Sequence, residues 1–181
     1  MFSVALSLAL GVSVPVLPAS SVASGAAIVV CFTPEEDCAA FAVRAIKNAE
    51  REILVGAYGL TTGSGIIEAL VRAKQRGVDV RLIADRTTPC ERKSAIEPLS
   101  AAGVPIWIDA QARIATMVID SAVTLTGSMN WTRGAAVNSE DLNLISSPAV
   151  AAAYAGHWHD RLAVSSPFNR REDWCRVGSV T

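Results

Sequence analysis

The stretch from Arg113 to Thr132 restricts the fold of this chain more than any other segment. Two runs rich in β-branched residues stand on either side of Asp120 and a short polar step, which is a pattern typical of a β-hairpin. Gly127 follows the second run and lets the backbone approach a neighbouring group closely. Ser128 and Asn130 then offer hydrogen-bond donors at a strand end, where an anion can bind.

Strand-like and helix-like segments alternate along the rest of the chain. Short apolar runs predict strands, and amphipathic stretches between proline and glycine signals predict helices. The predicted strands are 27–32, 53–58, 78–84, 105–108 and 141–145, and the predicted helices are 34–51, 65–75, 91–101 and 148–162. This order predicts an α/β fold, a layered α/β/α sandwich whose central sheet is mixed but largely parallel.

Polar residues stand at several predicted strand ends. Asp85, Asp120 and the Gly127–Asn130 turn each follow an apolar run. Because sites in parallel sheets lie at the carboxyl ends of strands, we expect these groups to share one edge of the sheet.

The spacing D-x6-G-S-x-N resembles the second half of the H-x-K-x4-D-x6-G-S-x-N signature of the phospholipase D superfamily. The residues that match are Asp120, Gly127, Ser128 and Asn130. From Cys31 to about Arg161 the chain is also similar to the small secreted Nuc-type endonucleases, which carry one copy of the motif. The later Asn138–Asp141 segment fits the same pattern.

The first half of the signature, H-x-K, is missing. Counting back from Asp120, the histidine position falls on Arg113 and the lysine position on Ala115. A second alignment, which we favour, places a gap of three residues between Ala115 and Thr116 and keeps both flanking segments family-like. On either alignment the catalytic histidine is absent from the motif.

The resemblance implies a specific chemistry and assembly. Two motifs meet across a twofold axis, where one histidine attacks phosphorus and the other protonates the leaving oxygen, without a metal or another cofactor. Lysine and asparagine hold the phosphate oxygens. Because this chain carries one motif copy, the resemblance implies a homodimer with the active site at its twofold interface.

The resemblance also assigns roles to individual residues. Ser128 and Asn130 are implied as phosphate-binding donors, while Asp120, as part of the orienting network, and Glu140 are implied as catalytic-site residues. Arg113 is a possible surrogate phosphate ligand, but a guanidinium that stays protonated cannot act as a nucleophile. Since a lost nucleophile removes several powers of ten of rate, we predict that the chain is inactive or nearly so.

The histidines offer no evident replacement for the missing nucleophile. His157 and His159 are the two histidines of the chain and stand two residues apart on the last predicted helix, so they face different sides. Trp107 and Trp131 are interpreted as packing residues rather than base-stacking platforms.

Three functions remain in consideration. The first is a phospholipase D-like phosphodiesterase or endonuclease acting on nucleic acid, catalytically impaired in this chain. The alternatives are a non-catalytic nucleic-acid-binding or regulatory dimer, and a phospholipase D acting on lipid. The net charge of −1 provides no overall attraction to nucleic acid, so basic residues must gather locally. The candidates are Arg72, Lys74, Arg76, Arg81, Arg86, Arg92, Lys93 and Arg133.

The N-terminal segment differs in composition from the rest of the chain. Residues 2–17 are apolar and uncharged, and a stretch of small residues follows. This pattern predicts a secretory signal peptide at 1–26 and a single domain at 27–181, secreted or periplasmic, with no stable membrane insertion after cleavage. Two prolines and the short apolar run argue against the alternative of a membrane anchor.

Four cysteines, an even number, suit an oxidising compartment. Cys31 and Cys38 bracket a short loop and can form one disulfide, which would leave Cys90 to pair with Cys175. Three pairings are possible in principle, and the sequence does not choose among them. The cysteine and histidine spacings match no zinc pattern, so no metal site is predicted.

Overall fold

The computed structural model describes residues 25–170 and 174–175. The signal peptide predicted for residues 1–26 therefore lies almost wholly outside the described residues. Within the described ranges, no helix has both the length and the apolar character needed to cross a membrane.

The elements follow the predicted alternation closely. The strands are β1 Ala27–Thr33, β2 Glu52–Ala57, β3 Asp79–Asp85, β4 Ile106–Asp109, β5 Ala115–Ile119, β6 Val123–Thr126, β7 Glu140–Ser146 and β8 Ser166–Pro167. The helices are α1 Cys38–Lys47, α2 Ile66–Gln75, α3 Ile96–Ala101 and α4 Pro148–Ala163. Strand β8 has only two residues and was not predicted.

The strands form one mixed sheet in the order β1-β7-β6-β5-β2-β3-β4-β8. Strands β2, β3 and β4 are parallel to one another. All other pairings among the described strands are antiparallel. The layered α/β class and the mixed sheet are confirmed, but the parallel part is smaller than predicted. The difference arises because β1 pairs with β7 at the sheet edge instead of extending the parallel strands.

Helices cover both faces of the sheet and give it two cores. Helices α1, α2 and α3 pack on one face, with Ile46 and Leu70 fully buried among strand residues. Helix α4 packs on the other face, where Trp158 lies against Leu54 and Ile83. The Trp158 indole donates a hydrogen bond to the backbone oxygen of Val55 (2.9 Å), which anchors α4 over the centre of the sheet.

Two helices begin later than the sequence predicted. Helix α1 starts at Cys38 because the Asp37 carboxylate accepts the N–H of Ala40 (2.9 Å) and caps the first turn there. Helix α3 starts at Ile96 because Lys93 adopts a left-handed backbone conformation (φ 67°), which a right-handed helix does not contain.

Two disulfides join the segments that the sequence suggested. Cys31 of β1 is bonded to Cys38 at the start of α1, and Cys90 after β3 is bonded to Cys175. The structure therefore selects one of the three pairings. The first bond ties the edge strand to a helix, and the second holds residues 174–175 against the loop that follows β3.

Candidate active site

The Gly127–Asn130 turn lies at the end of the sheet where the parallel strands have their carboxyl ends. Strand β6 leads into it, and Thr126 of β6 pairs with Thr116 of β5. On the other side of β5, Ala115 pairs with Ala57, the last residue of β2. The turn therefore meets the carboxyl end of β2, as expected for a site in such a sheet.

Gly127 is required by a close backbone contact. A Cβ atom at this position would lie 2.2 Å from the backbone oxygen of Asp141 in β7. The same oxygen accepts the N–H of Met129 (3.2 Å), so the turn is fastened directly to β7. A residue with a side chain cannot occupy position 127 without moving one of these strands.

The hydrogen bond between the turn and β7 brings Ser128 and Glu140 together. The Ser128 hydroxyl donates to Glu140 Oε2 (2.6 Å) and accepts the backbone N–H of Asp141 (3.0 Å). The other carboxylate oxygen of Glu140 accepts a hydrogen bond from Asn138 Nδ2 (3.2 Å). Because the Ser128 proton points to Glu140, Ser128 donates to a phosphate only after it exchanges that partner.

Asp141 and Asn143 are two polar neighbours that the sequence reasoning did not single out. The Asp141 carboxylate accepts the N–H of Ser128 (3.1 Å) through Oδ1 and an amide hydrogen of Asn143 (2.7 Å) through Oδ2. The two residues alternate with apolar ones along β7, so they share one face of the strand. The alternation of polar and apolar residues along β7 is the sequence signal from which these two supporting residues could be predicted.

Asn130 points one end of its amide away from the protein backbone. Its Oδ1 accepts the N–H of Gly59 (3.2 Å), so the NH₂ group on the other side of the amide plane can donate to a phosphate oxygen. The next residue, Trp131, is fully buried and donates to the backbone oxygen of Gly56 (3.0 Å). Trp131 thus packs in the core, as predicted, and fixes Asn130 beside the end of β2.

The positions of the missing histidine and lysine lie at the same edge. Arg113 is exposed, with its guanidinium carbon 5.8 Å from the centre of the Tyr58 ring. Ala115 is half-buried at the first position of β5. Between them, the Ile114 oxygen accepts the N–H of Tyr58 (2.8 Å), which continues the pairing of β5 with the end of β2. Both positions therefore flank the Gly127–Asn130 turn.

Asp120 lies at the other ends of the strands, next to the start of β2. This position corrects the expectation that Asp120 shares the site with Ser128 and Asn130. Its carboxylate accepts the backbone N–H groups of Glu50 (2.9 Å), Arg51 (2.7 Å) and Glu52 (3.0 Å). Strand β6 separates Asp120 from the turn by three residue steps, roughly 10 Å. Asp120 therefore holds the start of β2 and cannot orient a group beside Ser128.

The hydrogen bonds of Asp120 also change its acidity. Burial by itself raises the pKa of Asp120, but the three N–H donors and the Arg51 charge outweigh it and the pKa is lowered. A carboxylate with a lowered pKa stabilises the fold above the aspartate pKa of the unfolded chain. This contribution is lost as the pH falls through the lowered pKa of the folded state.

We expect Asp120→Ala to lower the free energy of unfolding by about 2–3 kcal/mol at neutral pH, because three charge-assisted hydrogen bonds are lost and φ at this position is +52°. Asp120→Asn is the matched control, since asparagine tolerates this conformation and keeps one acceptor oxygen. Urea unfolding at neutral and acidic pH measures both variants. A stability difference between the native chain and Asp120→Asn that stays constant as the pH falls would contradict the structural role of the carboxylate.

The two histidines lie away from the turn. Both belong to α4, where the His159 ring lies edge-on to Trp158 with 5.2 Å between ring centres. His157 lies near Asp109, the last residue of β4. Four strand spacings, roughly 19 Å, separate β4 from β6 along the sheet. Neither histidine is therefore placed to replace the missing nucleophile.

A mixed α/β sheet with a G-S-x-N turn fastened beside a glutamate defines a scaffold of the phospholipase D class. The family model described as "Cardiolipin synthase, PLD-like domain" matches residues 42–162. The chain therefore belongs to the phospholipase D-like family.

Individual relatives agree with this assignment. Phospholipase D of Rickettsia prowazekii (strain Madrid E) is 36% identical over 140 residues, which is 75% of this chain and 68% of that protein. The crystal structure of Nuc from Salmonella typhimurium, a phospholipase D family member, matches with a TM-score of 0.75 and 30% identity, covering 80% of this chain and 99% of Nuc. NucT from Helicobacter pylori matches with a TM-score of 0.71 at 18% identity, covering 79% and 99% of the two chains, which shows the fold alone.

Proposed function

We propose that this chain is a phospholipase D-like phosphodiesterase scaffold that binds nucleic acid and has lost most of its catalytic power. The observation that carries the proposal is the 2.6 Å contact between Ser128 Oγ and Glu140, at the edge where Asn130 presents its amide. Neither alignment of the family signature supplies its histidine or lysine: without a gap those positions hold Arg113 and Ala115, and with the gap they are missing.

The residues at this edge can bind a phosphodiester but cannot cleave it by the family reaction. The Asn130 amide donates to one phosphate oxygen, and the Arg113 guanidinium pairs with another. In the family reaction a histidine nitrogen bonds to phosphorus while the bond to the leaving oxygen breaks, and a second histidine protonates that oxygen. Without either histidine, the phosphate binds and no covalent intermediate forms.

The proposal includes a homodimer in an oxidising compartment. A single motif copy supplies half of a two-motif site, so a twofold axis beside the Gly127–Asn130 turn would bring two copies together. The two disulfides favour a secreted or periplasmic protein. Light scattering on the purified protein tests the assembly, and a mass corresponding to one chain, which is 19.0 kDa before any cleavage, would exclude the dimer.

Hydrolysis of bis(p-nitrophenyl) phosphate and nicking of plasmid DNA, both in excess EDTA, test the loss of activity. We expect the chain to show no rate above background with either substrate. Choline release from phosphatidylcholine micelles, measured in parallel, separates the lipid alternative from the nucleic-acid one. Turnover of any of these substrates by the chain as it stands would contradict the predicted impairment.

Counted back from Asp120 without a gap, Arg113 stands seven residues before it, where the signature has histidine, and this position favours a second candidate function, a non-catalytic nucleic-acid-binding or regulatory dimer. An exposed arginine at this position keeps a phosphate ligand where the family has its nucleophile. DNA binding that weakens as salt rises, without cleavage, would support this function over residual catalysis.

A further inference from the structure

An exposed aromatic residue stands beside the phosphate-binding groups. Tyr58 follows β2 directly and is 39% exposed. It begins a segment, residues 58–62, that we call the β2 loop. The next residue of this loop, Gly59, is the one whose N–H donates to Asn130. Tyr58 is therefore adjacent in the chain to a group that positions the site.

Three basic residues from three other segments reach the β2 loop. The Arg113 guanidinium lies over the Tyr58 ring at 5.8 Å. The backbone oxygen of Lys93 accepts the N–H of Thr62 (3.0 Å), and the backbone N–H of Arg133 donates to Thr61 Oγ1 (3.4 Å). All three basic residues are exposed. Their convergence depends on the fold, because they are twenty residues apart or more in the sequence.

No ion pair neutralises these three residues within the described part of the chain. The ion pairs found there join Arg81 to Asp79, Arg161 to Asp109 and Arg170 to Glu97. The acidic neighbour of the β2 loop is Glu91, which accepts the N–H of Leu60 (3.3 Å). Burial, and to a lesser degree the charge of Asp85, raises the pKa of Glu91 despite that hydrogen bond. The β2 loop thus combines an aromatic ring with a local excess of positive charge, although the whole chain carries −1.

We propose that the β2 loop, with Lys93, Arg113 and Arg133, binds single-stranded nucleic acid, with one base stacked on Tyr58 and the flanking phosphates held by the three cations. This inference rests on the proposed function for the class of polymer and adds the preference for single strands. Base faces are accessible in a single strand, whereas a duplex hides them inside its stack. An aromatic platform inside a basic groove therefore discriminates between the two.

A lipid surface fits this arrangement less well. Membrane-surface binding needs apolar side chains beside the cations, so that they enter the acyl region. Apart from Tyr58, the large exposed apolar side chains of the described residues lie outside the β2 loop: Ile28, Val29, Val30 and Phe32 belong to β1, and Val137 and Val164 are isolated. Strand β1 is four positions from β2 in the sheet order.

Fluorescence anisotropy with a labelled oligothymidylate, and with a duplex of the same length, tests the proposal at a series of NaCl concentrations. We expect the full chain to bind the single strand more tightly than the duplex. Tyr58→Ala should weaken single-strand binding by about fivefold or more, whereas Tyr58→Phe, which keeps the ring, should bind like the native chain. Arg113→Ala should reduce the slope of log K against log salt by about 0.7.

Lys47→Ala is the matched charge control, because Lys47 is the exposed last residue of α1 and leads towards the start of β2, the end of that strand opposite the β2 loop. We expect this variant to keep the native salt slope. If Tyr58→Ala does not fold, as judged by circular dichroism, Tyr58→Leu provides the same test with an apolar side chain in place. Equal binding of the single strand and the duplex would overturn the proposal. Native affinity of the variant without the ring for the single strand would also overturn it. Binding to phosphatidylglycerol vesicles and to no oligonucleotide would do the same.

The outcome can be separated from that of the proposed phosphodiesterase function. Bis(p-nitrophenyl) phosphate is not a polymer, so its hydrolysis by a variant with His-Ala-Lys inserted between Ala115 and Thr116 does not depend on the β2 loop binding a strand. Restored hydrolysis together with ring-independent DNA binding would overturn this inference alone. Ring-dependent binding without restorable hydrolysis would support this inference and reject the phosphodiesterase scaffold.

Discussion

Inserting His-Ala-Lys between Ala115 and Thr116 is expected to restore phosphodiester hydrolysis, by a factor on the order of 10⁴ or more over the chain as it stands. The insertion places histidine and lysine at the seventh and fifth residues before Asp120. Strand β5 pairs continuously with β2 and β6 back from Ile119. The new side chains would therefore occupy the strand end that flanks Ser128 and Asn130.

The structure suggests a second way to make the same repair. In the present register Arg113 and Ala115 already stand at those two positions, so Arg113→His with Ala115→Lys should also gain activity. The two repaired chains differ in the length of the connection from β4 to β5, which the insertion extends by three residues. Activity in the inserted chain alone would show that this connection is too short in the present sequence for the histidine to face the site.

Controls distinguish the family reaction from an unrelated gain. Insertion of Gln-Ala-Lys supplies the lysine without a nucleophile and should remain inactive. Hydrolysis of bis(p-nitrophenyl) phosphate in excess EDTA measures all variants, and circular dichroism establishes that each is folded. If both repaired chains are folded dimers without activity, the phosphodiesterase proposal fails and the binding dimer becomes the better account.

Gly127→Ala is expected to lower the free energy of unfolding by about 3 kcal/mol, because a Cβ at this position would overlap the backbone oxygen of Asp141 at 2.2 Å. Backbone atoms of a central strand cannot move aside as a flexible side chain can. Relief of the overlap would separate β6 from β7, and with them Ser128 from Glu140. The variant should therefore also bind phosphate-bearing ligands more weakly.

The matched control is Gly134→Ala, where the added Cβ would lie 3.9 Å from its nearest neighbour, the Thr132 hydroxyl oxygen. We expect that variant to stay within about 0.5 kcal/mol of the native chain. Urea unfolding measures both variants. Equal stability of the two variants would mean that the turn can shift without cost and that the contact with Asp141 does not hold it.

Asp120 is the residue whose position departs most from the prediction. The motif and the apolar run before Asp120 predict that it lies with Ser128 and Asn130. The run between Asp120 and the turn is itself a strand, β6, and a strand carries its two ends to opposite edges of the sheet. The six-residue spacing contained this information, since residues separated by a strand cannot share a site at one of its ends.

Other features of the site could not be predicted from the sequence. The contact of Arg113 with Tyr58, and of Asn130 with Gly59, joins residues more than fifty positions apart in the sequence. Both depend on β5 and the turn lying next to the end of β2. Strand order is set by packing between distant segments, and hydrophobic periodicity within each segment does not reveal it.

The sequence by itself determined the α/β class, the strands and helices to within a few residues, and the place of the G-S-x-N turn after a strand. These follow from local properties: side-chain periodicity, the conformational freedom of glycine, and the residue types of a family motif. The tertiary structure alone decided the order of the strands, the disulfide pairing, the contact of Ser128 with Glu140, the structural position of Asp120 and the convergence of three basic residues on the β2 loop. Each of these depends on which distant segments pack together, and that is fixed only when the whole sheet and its two cores form.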